Sequence, residues 1–291
     1  MGLRNPFAFG PGPWDPTHRF VTSWLVSPRV LFGLRALMCL YAFVTLLFDI
    51  GYLCAHEELG GCQKARDSFS FFTVLTYWGI AFYQLAAALH TLSYLAAPPA
   101  RGPPLGRWPR PLQALHAFFY TTVVTLPFLV TVVYWAVIYP FGRAWFPSVY
   151  AAWSNVSEHA LNSAFALVEI ALPRTRPPPW LHALWLVVLM ALYLALAYLI
   201  RAVRGFYPYA FLDPDPAHDG AAGPLVPAYI VGIAAVTVLV FVLVRYLIAL
   251  RRWLVEDRLG CRGKFAGPSP VPVHDELEMG RVSGLESLVH K

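Results

Sequence analysis

Between Asn155 and Glu169 the sequence NVSEHALNSAFALVE places Asn155, Glu158, His159, Asn162 and Glu169 in a stretch that is otherwise apolar. At about 100° per residue these positions share roughly 100° of helical arc, so one face of a single helix is polar and the other is Ala, Leu and Phe. A second stretch, SFSFFTVLTYWGIAFYQLAAALHTLSYL, carries Thr73, Thr76, Tyr77, Gln84 and Thr91 on one stripe, at the spacing that puts side chains on a common helix face. A hydroxyl that attacks an ester needs a base within about 3 Å and hydrogen-bond donors for the oxyanion that forms. His159 is the natural base and Thr73 the candidate nucleophile. Asn155 and Asn162 flank the histidine at i−4 and i+3, where they could orient it or donate to an oxyanion, and Thr76 and Tyr77 could do so from the other helix. Any one of these threonines taken alone is more economically a hydroxyl bonded to its own backbone. Depth singles out Thr73: a helix starting near Phe69 puts it a turn or two below the membrane surface. His159 lies about 15 Å below the same surface if its helix starts near Val149.

The elements that must hold these groups follow from composition. With 58% hydrophobic and 13% charged residues, the 291-residue chain reads as an integral membrane protein. Apolar runs long enough to cross a hydrocarbon core of about 30 Å lie near 30–53, 69–95, 112–139, 149–172, 180–200 and 227–250. The expected fold is all-α, a polytopic bundle of six transmembrane helices over residues 29–252. An interfacial segment, 1–28, precedes it, with Trp14 and Trp24 as belt residues, and a polar, disordered tail, 253–291, follows. No cleavable signal is visible at the N-terminus, so the first span would serve as the insertion signal. Lys and Arg concentrate in the N-terminal segment, in the second and fourth loops and at the start of the tail. The other side carries only Lys64, Arg66, Arg143, Arg201 and Arg204. That asymmetry places both termini in the cytoplasm, and it accounts for the net charge of +6 without a nucleic-acid partner.

The remaining polar groups have plainer expectations. Arg35, near the inner end of the first span, would snorkel to the headgroups; Asp49, at the outer end, would be solvated or face the bundle. Cys54 and Cys62 share an outer loop in which a disulfide could persist, and their spacing permits one without requiring it. Cys39 and Cys261 are expected to be free, and the separation of the four cysteines excludes a four-cysteine metal site. Asp213, Asp215 and Asp219 do not have the spacing of an EF-hand loop, although the segment around them could cover the mouth of a cavity. Asn155-Val156-Ser157 matches a glycosylation sequon that is embedded in a span, out of reach of modification. Glu169 is expected to serve packing or helix pairing, with Arg174 as its neighbour.

Three functions fit these helices. One is an intramembrane esterase that takes a lipid ester, needs no metal or cofactor and has only membrane lipids as further partners. A second is a non-enzymatic scaffold or transporter, in which Glu158 and Glu169 would line a proton or cation path. The third is a haem-binding redox protein that uses His90, His116 and His182 near the ends of their spans.

Thr73 within FFTVLT, the Asn155-x-x-x-His159 spacing followed by an apolar run to Glu169, and the later FYPYAFLDP together resemble the androgen-induced and androgen-dependent TFPI-regulating protein family. The resemblance spans most of residues 30–250. It implies a six-span membrane hydrolase of fatty-acid esters of hydroxy fatty acids, in an endomembrane such as the endoplasmic reticulum or in the plasma membrane. By motif position, it places the nucleophile on Thr73 and the histidine on His159. The chain departs from the family pattern at Val156, which stands for a second histidine, and at Thr76, which stands for an asparagine.

Overall fold

A computed structural model describes residues 14–96, 104–139, 145–218 and 221–261. The fold is all-helical, and five helices are long and apolar enough to cross a membrane. α1 spans Pro28–Ala55 and starts cleanly, with Ser27 as N-cap and Pro28 in the first turn, the positions where a hydroxyl acceptor and a residue without N–H are best tolerated. α2 (Gly61–Ser68) is a short polar helix. The disulfide between Cys54 and Cys62 ties it to the end of α1. α3 spans Phe72–Ala96, and α4 spans Arg110–Val133 before widening into a π-turn at Tyr134–Ile138.

The run expected as a fourth span is built in pieces. α5 (Val149–Val156) passes through a π-turn at Ser157–Leu161 into α6 (Asn162–Ala171). α7 spans Leu181–Arg204, and α8 spans Val226–Arg252 with a last π-turn at Trp253–Arg258. The part of the expected tail that is described thus begins as helix; residues 262–291 lie outside the described residues.

Small residues let α1, α3 and α4 approach closely. Ala42, Ala81 and Ala87 are buried beside Leu46, Ile80 and Val124, in the pattern by which membrane helices pack without a hydrophobic driving force between them. A second cluster joins Leu126 and Leu129 of α4 to Leu186 of α7 and Phe241 of α8. α7 otherwise buries only Ala197, which leaves its length open to lipid.

Three sequence expectations need correction at this level. Arg35 does not snorkel: it is fully buried, and its Nε and NH2 donate to both oxygens of Glu169 at 2.8 and 2.7 Å. Its NH1 donates to the Phe20 carbonyl and to Thr91. Glu169 therefore pairs with Arg35 across the bundle and not with Arg174. The physical reason is satisfaction: a bidentate carboxylate, a carbonyl and a hydroxyl together replace water around the guanidinium. Asp49 takes the second of its two expected placements: it faces the bundle, where it accepts from Ser154 Oγ at 3.0 Å. Finally, residues 14–27 do not simply lie along an interface. Val21, Thr22 and Ser23 are buried, Ser23 and Trp24 donate to the Leu172 and Ala171 carbonyls, and Arg19 pairs with Glu256.

Candidate functional site

Thr73 is the second residue of α3, because the polypeptide before it is spent on α2 and a turn. It therefore lies in the helix's first turn, shallower than a helix starting at Phe69 would place it. Backbone N–H groups of a first turn have no partner within the helix. Here two phenols meet them. Tyr193 of α7 accepts from the Phe72 N–H at 3.2 Å and donates to the Ser70 carbonyl at 3.0 Å. Tyr209, in the loop between α7 and α8, faces the Thr73 side chain and the Phe72 and Thr73 backbone. Burial pushes the Tyr209 phenol above its ordinary pKa, against smaller opposing contributions from those contacts, so it remains a neutral donor at physiological pH.

Thr73, Tyr193 and Tyr209 line one cavity of about 250 Å³ between α3, α4, α7 and α8. Its other walls are apolar apart from Tyr134, which closes it at the last turn of α4. Tyr134 also meets the histidine: the rings of Tyr134 and His159 stack at 3.5 Å between centroids. His159 is buried and sits within the π-turn, a widening common at functional positions. The ring reaches back so that Nδ1 lies 2.9 Å from the Asn155 carbonyl. A carbonyl can only accept, so Nδ1 carries the proton and Nε2 keeps the lone pair. That is the tautomer a general base needs.

Comparison with known proteins finds no match. Neither a family model, nor a curated protein, nor a solved structure matches this chain.

The expected supporting residues divide. Asn155 orients the site twice, through its carbonyl on His159 and through its Oδ1, which accepts from Tyr134 at 2.6 Å. Its amide nitrogen donates one of its two protons to the Ala151 carbonyl at 2.8 Å. Asn162 braces α6 against α4, accepting from Thr131 and donating to the Pro127 carbonyl. Thr76 donates to the Thr73 carbonyl and lines a neighbouring cavity with Thr122 and Pro127. Tyr77 is buried toward Thr45 of α1. Thr73 shares its cavity with Tyr134 and His159 stacks on that ring, but among the described residues no hydrogen bond joins Thr73 to His159.

Sequence reasoning missed Tyr134, Tyr193 and Tyr209. The signal for Tyr209 was present in FYPYAFLDP, an aromatic segment expected at a cavity mouth. It also missed that Glu158 meets Asp49, with Ser154 and Tyr150 beside them around a cavity of about 100 Å³. The histidines near the span ends are packed. His90 and His116 meet edge to face at 5.5 Å, and His182 Nδ1 is 2.7 Å from Thr121 Oγ1. Among the described residues no group of three or more His, Cys, Asp and Glu is placed to hold a metal ion.

Proposed function

We propose that this protein is an intramembrane lipid-ester hydrolase, as its resemblance to the androgen-induced and androgen-dependent TFPI-regulating proteins implies, with Thr73 as nucleophile and His159 as general base. The observation that carries the reading is the pairing of a hydroxyl at the polar end of an apolar cavity with a histidine whose tautomer leaves Nε2 basic one ring away. Nε2 would take the Thr73 proton as Oγ1 attacks the ester carbonyl, then return it to the departing alkoxide. A water deprotonated by the same nitrogen would release the acid from the acyl-threonine. Tyr209, which contacts the Thr73 side chain, would donate to the oxyanion. No hydrogen bond joins Thr73 to His159 among the described residues, so this reading requires the two to approach when substrate is bound.

In this reading the protein crosses the membrane six times with both termini cytoplasmic, the α5–α6 helix being the sixth crossing, in an endomembrane or the plasma membrane. The test is turnover of lipid esters by purified protein in nanodiscs. Thr73→Ala and His159→Ala are each expected to lower kcat/KM by at least about 10²-fold. Unchanged turnover in either variant removes that residue from the mechanism. A transport reading draws on the Asp49–Glu158 contact; Glu169 is excluded from such a path by its ion pair with Arg35. Proton-coupled solute uptake by proteoliposomes that hydrolyse no ester would favour it.

A further inference from the structure

The cavity beside Thr73 is uncharged as well as apolar. Among the described residues its only polar side chains are Thr73, Tyr134, Tyr193 and Tyr209, and every one is a hydroxyl. These hydroxyls gather around the first turn of α3, the last turn of α4 and the loop over the cavity. The opposite end is closed by Leu129, Val187 and Met190. From Tyr193 to Val187 along α7 is about 9 Å at 1.5 Å per residue. The space is thus a short apolar shaft with hydroxyls at one end only.

We infer that this shaft holds one acyl chain of a lipid ester, its uncharged ester carbonyl among the hydroxyls and its tail toward Leu129 and Val187, and that it rejects an ionised carboxylate in the carbonyl's place. The assignment of the carbonyl end rests on the hydrolase reading; the choice of a neutral over a charged head rests on the walls alone. The Tyr134 and Tyr193 protons are already donated to Asn155 and Ser70, which leaves Thr73 and Tyr209 to meet an ester carbonyl, a group that asks for hydrogen bonds and no counter-ion. A carboxylate brought into the same place would lose its water and find no cation, which is the costly case. Volume bounds the tail. At about 30 Å³ per water-sized group, roughly that of a methylene, a cavity of 250 Å³ encloses a chain of about eight carbons. Longer chains must pass out beside α7, whose side is open to lipid. Hydrolysis converts a ligand the shaft accepts into one it does not, so product leaves without a separate release device.

The test uses the full-length Thr73→Ala protein in nanodiscs, where binding is read without turnover. A diazirine-bearing octanoyl methyl ester is photo-crosslinked, with methyl octanoate or octanoate as competitor at neutral pH and at matched membrane-bound concentrations. Methyl octanoate is expected to suppress crosslinking at about one tenth of the octanoate concentration or less. Crosslinks should fall on Met190 and its neighbours, and the added substitution Ala191→Trp, which fills the shaft, should remove most of them. Equal or better competition by octanoate overturns the inference, as does labelling that survives Ala191→Trp. If Ala191→Trp does not fold, Met190→Ala serves instead: it deepens the shaft and should move the preferred ester to a longer chain, and an unmoved preference overturns the inference equally. Wild-type turnover is measured alongside. Ester-selective binding without any turnover sinks the hydrolase reading and keeps the shaft, whereas turnover without ester-selective binding does the reverse.

Discussion

At the scale of single residues, the site depends on which hydroxyls can donate and which nitrogen can accept. Tyr209 touches the Thr73 side chain and backbone, so a phenylalanine there keeps the ring and removes the donor. Tyr209→Phe is expected to lower kcat by about 10²-fold with little change in KM, the signature of a donor used in the transition state. An equal loss in a Leu212→Ala control, which touches only the cavity's apolar wall, would mean the effect is packing. The same phenol makes a pH prediction. Its folded pKa is raised above the free value of about 10, so the stabilisation from keeping it protonated is complete below about pH 10 and is lost as pH rises through the folded value. Wild-type protein should therefore lose thermal stability in that alkaline range more steeply than Tyr209→Phe, and superimposable alkaline melting profiles would contradict the burial argument.

At the scale of elements, the Arg35–Glu169 pair fixes how α1 meets α6. Both side chains are wholly buried, so removing one leaves the other charged and alone. Arg35→Met is expected to destabilise by about 3–5 kcal/mol, and Arg35→Met with Glu169→Leu to recover most of that loss, read from chemical denaturation in detergent. A double variant no better than the single would show that the contacts of Arg35 to Phe20 and Thr91 matter more than the pair. This element also shows what could be read from the chain alone. The polar faces of α3 and of α5–α6 were legible because they arise from local periodicity. The Arg35–Glu169 pair was not, because it joins residues 134 apart, and a guanidinium near a span end looks the same whether it snorkels or pairs. Nor was the π-turn at Ser157–Leu161, which no residue type marks in advance. The start of α3 was misplaced because Phe69 and Phe71, whose apolarity looked like the beginning of the span, belong to the turn that follows α2.

At the scale of the molecule, the interrupted helix decides the topology. Its first turns lie beside Asp49 and Tyr134, near the end of the bundle that carries the Cys54–Cys62 disulfide. Its last residues, Ile170 and Ala171, receive Arg251 and Trp24 at the other end. The cysteines themselves report the consequence. Cys54 and Cys62 follow the first span, and Cys261, exposed, follows the last. If α5–α6 crosses the membrane, an odd number of crossings separates the disulfide from Cys261, and the two lie on opposite sides; if it does not cross, the number is even and they share a side. In sealed vesicles of known sidedness, an impermeant maleimide should label Cys261 only from the cytoplasmic face. Cys54 and Cys62 should become reactive only from the other face, after an impermeant reductant. Buried Cys39 stays unlabelled from both. Labelling of all three from one face would make α5–α6 a re-entrant element. It would also reverse the direction from which substrate reaches Thr73, since the mouth of the cavity and the disulfide belong to the same end of the bundle.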